Sequence, residues 1–409
     1  MEKTKKLNDT KEYVLAFLRW LILGVALGAV CGLVGAAFSK SIQGVTALRS
    51  EYPWLLYLLP FGGLVSVALY KLCRVSGIGT DDVMESVRSE KKVPFMLAPA
   101  VFVASSISHL LGASAGKEGA ALQLGGSIAS VFGKIFRLDD KTHHIITMCG
   151  MGALFSAVFG TPLGACVFAL EVIRVGHFCS AAFFPAMVSS VTAFGISQML
   201  GVEAERFSVN AVNEFSLDTL WRVAVIAVAG AVVSIIFCGA IHYADKIFEK
   251  AFKNAFLRIA AGGVVIVLLT LLVGTRDYNG GGNHVIERIF EGGEIRYEAF
   301  ALKILFTAIT IAAGYKGGEI VPTFFIGATL GAALAVPLSL DPAFAAAVGM
   351  AVLFCSVTNC PLATIIISAE LFGSEGLMYY AFAAVMAFLL SGRYGLYHKQ
   401  IFVFSKLHE

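Results

Sequence analysis

The second half of this 409-residue chain repeats the first, and each copy sets a glycine-flanked glutamate ahead of an apolar segment. Gly116-Lys117-Glu118-Gly119 returns as Gly317-Gly318-Glu319, with Gly126 and Gly327 at the same offset. Gly150-Met151-Gly152-Ala153-Leu154-Phe155 returns as Gly349-Met350-Ala351-Val352-Leu353-Phe354, Pro162-Leu163 as Pro361-Leu362, and Glu171 as Glu370. The polar interruptions echo each other as well. Gly77-Ile78-Gly79 precedes Val83-Met84-Glu85, as Gly280-Gly281-Gly282 precedes Val285-Ile286-Glu287. A membrane chain built as two such halves with interrupted helices is the pattern of a transporter whose site lies between the repeats.

Composition supports the membrane assignment. Hydrophobic residues make up 57% of the chain and charged ones 14%, against about 25% charged in a soluble domain. Apolar stretches cover most of residues 14–41, 54–74, 94–112, 119–136, 145–174, 178–201, 219–240, 256–274, 299–315 and 320–392. At about 20 residues per crossing they predict more than ten spans. Many are short or carry Gly and Pro, and the 42 glycines favour close packing and broken helices. The expected fold is therefore an all-α polytopic membrane protein of many tilted and broken helices. Its halves are residues 1–201 and 219–409, joined by a polar connector at 202–218.

Lys3, Lys5, Lys6 and Lys11 precede the first span and predict a cytoplasmic N-terminus. Arg393, Lys399 and Lys406 place the C-terminus on the same side, with no regulatory domain expected after the last helix. A net charge of +3 without a basic patch gives no reason to expect a nucleic-acid partner. Eight cysteines without C-x-x-C spacing read as small core residues, and no metal or cofactor is called for.

The chemistry follows from helix starts. Glycines before a helix leave its first backbone N–H groups bare, and these bind anions together with the helix dipole. Candidate starts are Gly77-Ile78-Gly79, Gly116-Lys117-Glu118-Gly119-Ala120, Gly280-Gly281-Gly282 and Gly317-Gly318-Glu319-Ile320-Val321-Pro322. Glu118 is the principal candidate. As a carboxylate it occupies an anion site itself, and protonation removes that claim, so one side chain gates anions and carries protons. An ionisable residue at membrane depth is a functional hypothesis by default; the plainer alternative is a glutamate capping its own helix. Lys117 either attracts anions or snorkels. His143, His144 and His177 read as loop or interfacial histidines, and Asp81-Asp82 as an exposed loop pair.

At these residues the chain resembles the CLC family of chloride channels and anion/proton exchangers. The family's G-K/R-E-G-P motif matches Gly116 to Gly119, with Ala120 for the proline. Its G-x-F-x-P motif matches Gly318 to Pro322, with Ile320 for the phenylalanine. Its P-L-A-G…E stretch is similar to Pro162-Leu163-Gly164 through Glu171, and its near-terminal tyrosine to Tyr397 in Gly395-Leu396-Tyr397. The resemblance covers residues 14–405 and implies an inverted two-fold repeat and a homodimer with one pathway per subunit. It also implies an anion site formed by Gly77, Ile78, Gly79, Gly119, Ala120, Ile320, Val321 and Tyr397. Tyr394 competes for the tyrosine role.

Departures from the family pattern point to its fluoride branch. The family's anion-binding serine aligns either with Ser76 or, in the register the internal repeat favours, with Ile78. The fluoride-exporting branch substitutes that serine and tends to lose the proline after G-K/R-E-G. Glu319 also looks like that branch; it is a candidate second proton stop or a residue that only shapes the field. Val172 stands where chloride/proton exchangers carry a second, inward glutamate. The expected function is fluoride/proton antiport across a bacterial inner membrane, with fluoride, protons and lipid as partners. The alternative is a chloride channel or chloride/proton exchanger. A hydrolase using Glu118 and Glu319 as a dyad, and a non-transporting scaffold, are the readings from other classes.

Overall fold

The structure is a computed structural model that describes residues 2–89, 91–209, 212, 215–403 and 406, with side chains from residue 11 onward. Met1, Glu90, four connector positions (210, 211, 213 and 214) and five of the last six residues lie outside the described residues, and the charges that orient the N-terminus fall largely where side chains are not described. Sixteen α-helices occur among the described residues, and they correspond in order, α1–α8 to α9–α16. Long α1 (Glu2–Glu51) and α9 (Leu217–Ala251) open the halves, followed by α2 (Leu59–Leu72) and α10 (Ala255–Val273). A 3-10 turn, Pro53–Leu58, precedes α2. The polar interruptions then hold short helices, α3 (Thr80–Ser86) and α11 (Asn283–Phe290). Next come α4 (Leu97–Leu111) and α12 (Ala299–Ala313), then α5 (Glu118–Ile135) and α13 (Ile320–Ala335). Each half closes with α6 (Asp140–Phe159), α7 (Pro162–Glu171) and α8 (Ser180–Met199), matched by α14 (Pro342–Thr358), α15 (Pro361–Phe372) and α16 (Leu377–Leu390).

The same residue chemistry punctuates both copies. Asp139 caps α6 by accepting from Thr142 N, and Asp341 caps α14 by accepting from Phe344 N. Such a cap satisfies one of the orphan amides at a helix start. Left-handed Gly112 and Gly314 end α4 and α12. Pro162 and Pro361 open α7 and α15, where their missing N–H costs nothing.

As the short apolar stretches suggest, many of the helices are too short for a full span. Among the described residues six helices are long and apolar enough to cross a membrane, while α4, α7, α12, α13, α14, α15 and α16 have only 10–17 residues. The apolar run 320–392 holds four helices, α13 to α16. Short helices are tolerated at membrane depth when their ends are satisfied by protein, and the ends here are. Glu171 at the end of α7 accepts from Leu362 N (3.1 Å) and Ala363 N (2.8 Å) at the start of α15. Glu370 at the end of α15 returns the arrangement, accepting from Leu163 N (3.0 Å) and Gly164 N (2.8 Å) of α7. Each half thus caps the other.

Small residues bring the helices together. A Cβ on Gly125 would lie 2.1 Å from Gly150 O between α5 and α6, and one on Gly327 would lie 2.4 Å from Gly349 O between α13 and α14. Large apolar side chains such as Leu72 (82% exposed), Leu272 (83%) and Met199 (88%) cover the outside, a surface that suits lipid rather than water.

Candidate functional site

The two halves meet where α5 and α13 begin. Gly116 and Gly318 form an antiparallel pair, each N–H donating to the other's carbonyl at 2.7 Å. A Cβ on Gly318 would stand 2.3 Å from Gly119 N, and one on Gly119 would stand 2.7 Å from Gly318 Cα. Only glycine allows this backbone crossing.

The pair corrects the register read from the letters. Gly116 faces Gly318, Gly112 matches Gly314, Gly125 matches Gly327, and the bonds Ala121 N to Lys117 O and Thr323 N to Glu319 O are equivalent. The offset here is 202, not the 201 that aligns Glu118 with Glu319 and Gly126 with Gly327. Glu118 is the first residue of α5 and corresponds to Ile320, whereas Glu319 is the N-cap residue of α13 and corresponds to Lys117. The glutamates therefore occupy different positions on their helices.

Glu118 is fully buried, and neither carboxylate oxygen has a hydrogen-bond partner among the described residues. Its Oε2 lies 2.7 Å from a Cβ built on Gly116, beside Val321. Glu319 is half-buried, and its Oε2 lies 3.6 Å from a Cβ built on Gly119. Ala120, Ile320 and Val321 are buried in the first turns of α5 and α13. Tyr397 is buried and its hydroxyl lacks a partner among the described residues, while Tyr394 is 52% exposed. Burial therefore favours Tyr397 of the two.

The start of α3 joins this group through a residue that sequence reading missed. Thr80 Oγ1 donates to Gly119 O at 3.5 Å and accepts from Gln123 Nε2 at 3.0 Å. Gly79 N donates to Asp82 Oδ2, and Gly77 and Gly280 share a positive φ (80° and 67°). That match supports the register that pairs Ile78, which is half-buried, with Gly281; Ser76 is exposed. Asp81-Asp82 is not an exposed loop pair. Asp81 accepts from His398 N (3.2 Å) and Lys399 N (3.4 Å), and Lys399 Nζ reaches Asp82 Oδ1 and Glu85 Oε2 at 2.7 Å each. These carboxylates hold the Lys399 ammonium above its ordinary range, Asp82 foremost. The segment carrying Tyr397 is thereby clamped to α3.

On one side of the crossing lies a cavity of about 900 Å³ lined by Gly116, Lys117, Val321 and residues of the connector. Lys117 Nζ pairs with Glu205 Oε1 at 3.0 Å, so the connector neutralises the lysine assigned to attracting anions or snorkelling. Asn283 Nδ2 also donates to Glu205 Oε1. At the cavity edge His284, and then Arg288, hold the Asp277 carboxyl down at about 2. His143 is buried within α6 against Thr147, not in a loop, and His144 Nε2 lies 3.2 Å from Ser89 O. Lys303, buried near the start of α12, donates to Tyr278 O (3.1 Å) and Gly280 O (2.7 Å) and so fixes the second glycine loop. An isolated lysine in the apolar run 299–315 was the signal available for it.

Comparison with known proteins places this geometry. The family model described as voltage gated chloride channel matches residues 61–392. A chloride/fluoride channel protein of Pseudomonas syringae pv. tomato is 33% identical over 402 residues, covering 96% of this chain and 88% of its own. An H+/Cl− exchange transporter of Vibrio campbellii is 25% identical over 382 residues, covering 86% and 81%. Among solved structures, a CLC-type fluoride/proton antiporter superposes with a TM-score of 0.91 at 32% identity, covering 94% of this chain and 98% of that one. A slow cyanobacterial Cl−/H+ antiporter, at 21% identity and a TM-score of 0.81 over 91% and 94%, shares the fold.

Proposed function

We propose that this chain, which belongs to the voltage-gated chloride channel family, is a fluoride/proton antiporter that exports fluoride, with Glu118 as its gate and proton carrier. The carrying observation is the contrast among the carboxylates at its helix ends and starts. Glu171 and Glu370 each accept two backbone N–H bonds, whereas neither oxygen of wholly buried Glu118 has a partner among the described residues. A buried carboxylate left unpaired is costly and is retained where its two protonation states are used. As carboxylate, Glu118 competes with the anion for the amides at the start of α5; once protonated, it yields them.

The permeating anion is held by amides from residues 77–79, Gly119 and Ala120, and Ile320 and Val321, with the Tyr397 hydroxyl as a further donor. Ile78 takes the place of a polar ligand and separates fluoride from chloride. Glu319 serves as a second proton stop, because Val172 leaves no carboxylate after Glu171. Residues 1–201 and 219–409 act as the two repeat halves, and the connector contributes Glu205 to the cavity. The protein works as a homodimer in the bacterial inner membrane with both termini cytoplasmic. Similarity to the Pseudomonas protein and to the antiporter structure supports fluoride as the ion.

Anion efflux from proteoliposomes tests the reading. Fluoride should leave faster than chloride by more than about tenfold, a barrier difference of about 1.4 kcal/mol. Equal rates would support the chloride channel or exchanger instead, with Ser76 as ligand.

A further inference from the structure

A second, smaller cavity of about 270 Å³ lies where the end of α3, the first turns of α6 and the end of α7 come together. Its charged lining among the described residues is cationic: Arg88 just after α3, Lys141 from α6 and Arg174 after α7, with His144 and His177 beside them. Among the described residues no carboxylate lines it, although the chain as a whole carries a net charge of only +3. Nearby described carboxylates are engaged elsewhere, Glu85 by Lys91 and Lys399, and Asp140 by Lys92. Arg88 Nη2 donates to Lys399 O, but Arg88 Nη1 is buried with no hydrogen-bond partner among the described residues. An unmet guanidinium donor at that depth calls for an acceptor. The remaining wall is apolar, formed largely by Ile145, Met148, Leu170 and Ile173.

A free inorganic anion has use for the cations but none for the apolar wall. We infer that this cavity binds one anionic phospholipid, with its headgroup phosphate against Arg88, Lys141 and Arg174 and its proximal hydrocarbon against Met148 and Leu170. Arginine suits this task because its planar fork matches phosphate oxygens. The site also touches the transport machinery. Arg174–Val175 forms a two-residue parallel ladder with Ile401–Phe402, and Arg88 holds the Lys399 carbonyl two residues beyond Tyr397. A bound headgroup steadies the segment that carries Tyr397, whichever halide is moved.

The test uses the full-length protein in native mass spectrometry after exchange into phosphatidylglycerol or phosphatidylcholine. Wild type should retain one phosphatidylglycerol and release phosphatidylcholine. Lys141→Gln and Arg174→Gln should each lower that retention about fivefold, as expected for one basic side chain facing an anionic lipid. Arg174→Lys should restore much of it, and Lys253→Gln, outside the cavity, should change nothing. Equal retention of both lipids, or undiminished retention in both Gln variants, would overturn the assignment. Inorganic phosphate that displaces phosphatidylglycerol and binds the delipidated protein as tightly would overturn it too, by making this a free-anion site.

Discussion

The two halves of the molecule share a scaffold and differ in chemistry. Their helices match one for one, the Asp139 and Asp341 caps match, and Glu171 and Glu370 cap each other's repeat with near-identical bonds of 2.8–3.1 Å. Within the crossing the likeness stops. The first half places a carboxylate at the first residue of α5, whereas the second places Ile320 there and moves its carboxylate back to the N-cap residue, the position held by Lys117 in the first half. The glycine loop of the first half is held by Asp82 and Thr80, while that of the second is held by Lys303, whose counterpart in α4 is Val101. Symmetric residues build the frame, and the groups able to move a proton or an anion sit where symmetry is broken.

That division can be broken by substitution. The largest effect falls on Glu118. Glu118→Gln keeps the shape and removes the titrating group, so anion flux should persist while coupled proton movement falls to background; intact coupling would move the proton carrier elsewhere. Next come the frame carboxylates. Glu171→Gln and Glu370→Gln should each lose about 1.5–3 kcal/mol of stability, the worth of hydrogen bonds to a charged group. Thermal unfolding in detergent should show the two losses to be alike, and a neutral change in one alone would deny the frame its symmetry.

Lys303→Met leaves the Tyr278 and Gly280 carbonyls without their donor, at a cost of about 1–3 kcal/mol. Faster hydrogen exchange should appear at residues 280–282 and not at 77–79. The smallest effect is expected for Asp81→Asn, since a partly exposed contact of this kind contributes at most about 1 kcal/mol. It should raise exchange at residues 396–400 selectively, and uniform loosening of the whole chain would contradict the clamp.

Much of this frame was legible in the letters because glycines, prolines and capping aspartates mark both copies at the same places. Identity of letters also misled: matching Glu118 to Glu319 maximises likeness, yet backbone pairing sets Gly116 against Gly318 and shifts the register by one. Contacts distant in sequence left no trace in spacing. Glu205 reaches Lys117 from the connector, and Asp81 reaches the amides of His398 and Lys399 across more than three hundred residues. The short apolar stretches give no sign of how their helices end, a relation invisible until Glu171 and Glu370 are seen on each other's amides.

The central claim is that fluoride movement and proton movement are one process gated at Glu118. Proteoliposomes loaded with fluoride, with external pH recorded as the anion runs down its gradient, test it directly. Outward fluoride should drive protons inward against their own gradient, and an equal chloride gradient should drive few or none. Fluoride efflux with no proton uptake, or chloride driving protons as strongly as fluoride does, would contradict the account.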